Sequence, residues 1–190
     1  MEYKVNNLIY ASGSDMRGTL RTNITLTEPV NRQALENALR KAAMRFPYFS
    51  VKLVKHGSEY RMETNNLPFV VSPNGYAVTL GTEESNFHLF AFAYDGCCLY
   101  ADTSHFITDG YGKVPFLQTI LYYYLTELHP DETFDTKTIA LCGSPVSDEE
   151  ADETEVSVSV QLMLRSVKVK STRSAVVVDK TLSFPGTNVH

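Results

Sequence analysis

The chain contains no tryptophan and only three cysteines among its 190 residues. Cys97, Cys98 and Cys142 are odd in number and two are adjacent, which suits neither a disulfide framework nor a tetrahedral zinc site, so reduced thiols are expected. No apolar run approaches the roughly 18 residues needed to cross a bilayer, so no membrane span is expected. Residues 1–7, MEYKVNN, lack the basic start and apolar stretch of a secretory signal, and the cytoplasm is the expected location. Positive charge is in short supply as well. Seventeen Lys and Arg against 22 Asp and Glu leave a net charge of -5, the wrong field for a phosphate backbone, and a nucleic-acid partner is not expected. The Gly-x-Ser-x-Gly elbow of serine hydrolases and the Gly-x-x-x-x-Gly-Lys phosphate loop are both missing, which removes those two classes.

What remains is a globular chain with 43% hydrophobic and 21% charged residues, long enough for one sizeable core or a domain plus an extension. Residues 30–46 carry the clearest helical period, with Leu35, Ala38, Leu39, Ala42 and Phe46 on one face. Asn31 is a suitable N-cap, Val30 a candidate staple onto Leu35, and Pro47 ends the helix by pushing its predecessor out of the helical region. Upstream, residues 19–27 alternate as a strand with Leu20, Thr22, Ile24 and Leu26 on one side. Downstream, residues 49–54 and 59–63 form a hairpin about His56-Gly57-Ser58. A second hairpin, residues 87–94 and 97–104, flanks Asp95-Gly96, a dipeptide suited to the central positions of a type I′ turn.

Residues 114–128 then read as a helix, with Leu117, Ile120, Leu121, Tyr124, Leu125 and Leu128 at helical spacing and Pro115 tolerable in its first turn. The tyrosines at 122–124 are expected in core and rim rather than in a cofactor box. The acidic run SDEEADETE at 147–155 repels itself and is read as a solvated linker rather than a metal site. Residues 156–170 alternate weakly, and a short strand is expected over 175–178.

Chemistry concentrates in SHFITDGYG, residues 104–112. A histidine, with an ordinary pKa of about 6.5, is neutral and basic near pH 7, as proton abstraction from a hydroxyl or amine requires. His105 follows a strand end and precedes a helix, where a loop side chain is aimed while rigid elements hold it. Asp109 lies four residues on. The spacing allows either a carboxylate on the imidazole or a brace to an arginine. Gly110 and Gly112 remove Cβ atoms, which permits a sharp bend or the close passage of a long substrate. His56 and His88 lie in or beside strands with no matched partner, His129 precedes a proline at a helix end and His190 is terminal, so none of the four is read as functional.

His105-Phe106-Ile107-Thr108-Asp109-Gly110 resembles the His-x-x-x-Asp-Gly motif of the coenzyme A-dependent acyltransferase superfamily, which includes chloramphenicol acetyltransferase, alcohol acetyltransferases and peptide-synthetase condensation domains. The segment 30–53, ending MRFPYFSVKL, is similar to the first helix and following strand of the two-lobed members, and the hairpin before the motif and the helix after it also stand where that superfamily has them. The resemblance implies an α+β fold, a mixed and largely antiparallel sheet with helices packed on it, forming a single chloramphenicol acetyltransferase-like lobe. It implies a general-base role for His105, a structural bracing role for Asp109 and room for a pantetheine arm at Gly110, with Gly112 beside it. Acyl-CoA or acyl-pantetheine is implied as co-substrate and an alcohol or amine as acceptor, with direct transfer and no tightly bound cofactor.

Two-lobed members are about twice as long, and the motif position makes this chain resemble their N-terminal lobe. The expected organisation is a lobe over 1–130, an acidic loop over 131–156 and an extension over 157–190, its last residues, FPGTNVH, resembling the crossing into a second lobe. A second lobe or self-association is expected to cover the face opposite the motif. Two other readings stand beside this one: a non-catalytic binding module or truncated remnant of the same fold, and an unrelated α/β domain in which His105 is a core residue.

Overall fold

The computed structural model describes residues 18–57, 59–108, 112–144, 168–173 and 176–181. The first strand, β1 (Thr19–Thr25), alternates as the sequence predicts: Leu20, Thr22 and Ile24 are buried, and Leu26 beyond the strand end continues the row. Helix α1 (Arg32–Arg45) starts at Asn31, whose side-chain oxygen accepts the Ala34 N–H at 3.1 Å, and buries Ala34, Leu35, Ala38, Leu39 and Ala42. Pro47 closes it. The Phe46 N–H still reaches the Ala42 carbonyl at 3.1 Å, and Pro47–Phe49 then makes a single 3₁₀ turn.

Strands β2 (Val51–His56) and β3 (Glu59–Thr64) form a separate two-stranded sheet, and the short β4 (Val71–Ser72) follows. Next come β5 (Phe90–Asp95) and β6 (Cys98–Ser104), then helix α2 (Val114–Leu128), with the bounds the sequence predicts for it. Strands β7 (Lys168–Arg173) and β8 (Val176–Thr181) complete the order. The main sheet runs β4-β5-β6-β1-β7-β8, with β4 and β5 parallel and every other neighbouring pair antiparallel. This is the expected α+β architecture with a mixed, largely antiparallel sheet. Because β7 pairs along β1 and β8 along β7, residues 168–173 and 176–181 belong to the same sheet as the strands before residue 130. The acidic run at 147–155 and the segment 184–190 lie outside the described residues.

The two helices pack against each other on one face of this sheet. Tyr124 on α2 is buried and its hydroxyl accepts the Asn31 N–H at 2.9 Å, joining the start of α1 to the middle of α2. The core between sheet and helices is aromatic: Phe116 lies 5.5 Å from Phe46, 5.0 Å from Phe49 and 5.3 Å from Phe90, ring centre to ring centre. Tyr122 and Tyr123 are half-buried on the rim, so the tyrosine triplet divides between core and rim as expected.

Two local expectations are corrected. The β5–β6 turn is centred on Gly96-Cys97 rather than Asp95-Gly96, since Asp95 pairs with Cys98. Gly96 has φ 52° while neither Asp95 nor Cys97 has positive φ, so the type I′ form is excluded and glycine takes the first central position. The hairpin also starts later than residue 87. Phe87 has φ 61° and its N–H donates to the Thr82 carbonyl at 2.7 Å, which holds it in a loop before β5.

Candidate active site

Strand β6 delivers His105, and the strand is fixed on both sides at the point where it ends. On the β5 side the Ser104 N–H donates to the Leu89 carbonyl at 2.9 Å; on the β1 side the His105 N–H donates to the Gly18 carbonyl at 2.9 Å. The chain then turns, with the Ile107 N–H on the Ser104 carbonyl at 3.3 Å and the Phe106 N–H on the Ser104 hydroxyl at 3.4 Å. Phe106 is buried and Ile107 packs against the main core, so two apolar anchors directly follow the histidine. His105 itself is half-buried. That is the posture of a loop residue held by rigid neighbours and only partly covered by them.

Gly18 is a positional partner that the sequence reading passed over. Its φ is 138°, a region that side chains rarely adopt, and a Cβ placed there would sit 3.5 Å from the His105 Cβ. Nothing in the one-dimensional pattern marks this glycine, because it acts through a neighbouring strand.

A second missed group lies two residues before Ser104. Asp102 is buried on the sheet face away from the helices and receives Arg21 in a bidentate pair, Nε to Oδ1 at 2.7 Å and Nη2 to Oδ2 at 2.6 Å. The remaining guanidinium nitrogen, Nη1, donates to the Gly75 carbonyl at 3.1 Å, and the group lies 4.9 Å from the centre of the Tyr100 ring. The hydrogen bond to Asp102 raises the Arg21 pKa above its ordinary value, against an opposing effect of burial. Arg21 and Asp102 are register partners on β1 and β6, so this pair locks the two strands that converge on His105. The only signal available in the sequence was two opposite charges at outward positions of adjacent strands.

Of the other residues singled out from the sequence, Gly112 is half-buried just ahead of α2, while Asp109 and Gly110 lie outside the described residues. Thr108 is buried, and Lys113, which caps α2, is 1% exposed. Beneath the histidine segment, the Thr22 and Thr103 hydroxyls face the core without a hydrogen-bond partner among the described residues. Elsewhere His56 is exposed beside Glu63 at 2.9 Å, His129 follows the end of α2, and His88 is fully buried; His190 lies outside the described residues. The three cysteines are free thiols, and no cluster of metal-ligating side chains occurs among the described residues. No helix among them is long and apolar enough to cross a membrane.

The sequence matches no protein-family model and no curated protein. Solved structures do match in fold. The first condensation domain of the calcium-dependent antibiotic synthetase, in complex with a substrate analogue, superposes with a TM-score of 0.56 at 11% identity, over 80% of this chain and 42% of that one. The starter condensation domain of the rhizomide synthetase RzmA gives 0.50 at 12% identity over 68% and 39%. A mutant of that domain in complex with C8-CoA gives 0.55 at 13% over 68% and 37%. The chain therefore spans about two-fifths of the length of these structures. At such identities the likeness is one of fold alone, the fold of about two-fifths of a condensation domain, and it agrees with the fold that the resemblance around His105 implies.

Proposed function

We propose that this chain is an acyltransferase lobe, with an acyl thioester, acyl-CoA or acyl-pantetheine, as donor and an alcohol or amine as acceptor. The observation that carries the reading is a half-buried histidine just past the end of β6, its own N–H on the Gly18 carbonyl and that of Ser104 before it on the Leu89 carbonyl, in a condensation-domain fold.

In this reading the neutral imidazole of His105 takes the proton of the acceptor hydroxyl or amine as its oxygen or nitrogen attacks the thioester carbonyl. The carbon–sulfur bond breaks, the thiolate leaves, and the imidazolium returns the proton to it. No acyl-enzyme forms. Asp109 braces the loop, and Gly110 and Gly112 leave space for the pantetheine arm. The face opposite the motif is closed by a second lobe or a second copy of the chain, which positions the donor. In this reading residues 1–130 form the body of the lobe, 131–156 an acidic loop, and 157–190 return to the lobe's own sheet through β7 and β8 before leading toward the second lobe.

A second reading is a non-catalytic binding module of the same fold, since a likeness of fold at 11% to 13% identity carries no catalytic residue with it. The two readings separate in one assay. The protein is incubated with octanoyl-CoA and a panel of alcohols and amines, with binding followed by calorimetry and products by mass spectrometry. Acylated product and free thiol in equal amounts support the acyltransferase; binding without product supports the module; neither binding nor product contradicts both.

A further inference from the structure

His88 is buried with 0% exposure, and the proposed reaction does not use it. It sits at the centre of a clasp between two segments that have no strand pairing with each other, residues 65–69 and residues 82–88. Its Nε2 is 2.6 Å from the Leu67 carbonyl oxygen. A carbonyl only accepts, so Nε2 carries the proton; Nδ1 is buried with no partner among the described residues and is the unprotonated nitrogen of a neutral ring. Two asparagines complete the clasp. Asn65 donates to the Asn86 carbonyl at 2.8 Å and Asn86 donates to the Pro68 carbonyl at 2.9 Å. The imidazole also lies 4.3 Å from the Phe69 ring, centre to centre, and Phe69 in turn meets Phe92 and Phe116 of the core. On the loop side the clasp holds Asn86 at φ 50° and Phe87 at φ 61°, a left-handed pair of non-glycine residues that persists only under such restraint.

We propose that His88 is a proton-sensitive latch: its neutral ring fastens residues 65–69 to residues 82–88, and protonation opens the clasp. A proton on Nδ1 would add a donor and a charge where the described residues offer neither acceptor nor counter-ion. Segment 65–69 carries no titratable side chain. On the loop, Glu83 and Glu84 are exposed, and Glu84 accepts the Thr79 N–H at 2.9 Å. On β5, Asp95 is exposed at the far end; on β6, Asp102 is engaged by Arg21; at the start of α2, Lys113 is buried; and His105 follows Ser104.

Burial lowers the His88 pKa below its ordinary value, with the Leu67 carbonyl acting in the opposite direction. The open form therefore binds the proton more tightly than the closed form. The latch's contribution is fully present above about pH 6.5 and is lost as pH falls from there through the folded-state value. Glu84, held below its ordinary value by the Thr79 backbone hydrogen bond, acts in a separate and more acidic window. Opening would uncover Phe69. It would also loosen the start of β5, where the Leu89 carbonyl holds Ser104, the residue before His105.

The test is hydrogen exchange of the full chain at pH 7.5, 6.5 and 5.5, corrected for intrinsic rates, on the wild type and His88→Gln. In the wild type the opening equilibrium of residues 65–69 and 82–89 should approach a tenfold rise per pH unit below about 6.5, while α1 stays protected. His88→Gln keeps a neutral donor toward Leu67 and should be flat. An equal pH dependence in both proteins overturns the proposal, as does opening spread uniformly over the chain. Should His88→Gln fail to fold, ring ¹⁵N shifts of the wild type decide. An Nε2–H neutral ring at pH 6 wherever the clasp amides are protected supports the latch, and an ordinary titration with the clasp still closed overturns it.

Discussion

Thr103 faces the aromatic side of the sheet with no solvent exposure and no hydrogen-bond partner for its hydroxyl among the described residues. A buried hydroxyl in that state keeps its desolvation penalty without compensation, so Thr103→Val, which retains the branched shape, should stabilise the fold by about 1 kcal/mol. Urea unfolding checks this, and a loss of comparable size would mean that the hydroxyl is satisfied. Gly18 is the opposite case, a residue with no side chain whose conformation matters. Gly18→Ala should cost about 1–3 kcal/mol from its φ of 138°. It should also disturb the His105 amide in NMR more than amides in α1, because the Gly18 carbonyl holds that amide. At this scale the sequence was only partly legible. His105 stood out through its local motif, whereas Gly18 and His88 act through residues 87 and 21 positions away, and no local pattern reports such distances.

Elements with a strong period were read well. Helix α2 has the expected bounds because its apolar face and Pro115 mark it locally, and α1 is set by Asn31 at one end and Pro47 at the other. The β5–β6 hairpin was found, but its turn lies one residue later. Strand register, set by pairing of Phe90 with Thr103 and of Phe92 with Ala101 toward the core, prevailed over the turn preference of Asp-Gly. Residues 65–88 gave no usable period, since side-chain bonds such as Asn65 to Asn86 organise them in place of repeated backbone pairing. The β1–β6 junction depends on the Arg21–Asp102 pair, and Asp102→Ala would strand a guanidinium that is only 25% exposed. The expected loss is about 3 kcal/mol, read by thermal unfolding, with Arg21→Met/Asp102→Leu recovering much of it.

For the whole molecule, the fold class was legible because alternating strands and two amphipathic helices fell in an order that the motif around His105 also implied. The placement of β7 beside β1 was not, since residues 156–170 alternate only weakly and β7 pairs with a strand some 145 positions earlier, such as Lys170 opposite Asn23. The sheet surrounds the His105 end of β6 with strands on both sides, and the Phe116-centred core fixes the first turn of α2 just beyond the loop. Under the proposed function, the scaffold's contribution to acyl transfer would be the positioned imidazole of His105. The most direct measurement is the rate of thiol release from octanoyl-CoA with an accepted alcohol or amine, wild type against His105→Ala, with matching circular dichroism to show that both are folded. A general base contributes ~10²–10⁴-fold, and the variant should be slower by about that factor with donor binding retained. Equal rates in the two folded proteins would contradict the assignment of His105 as the base.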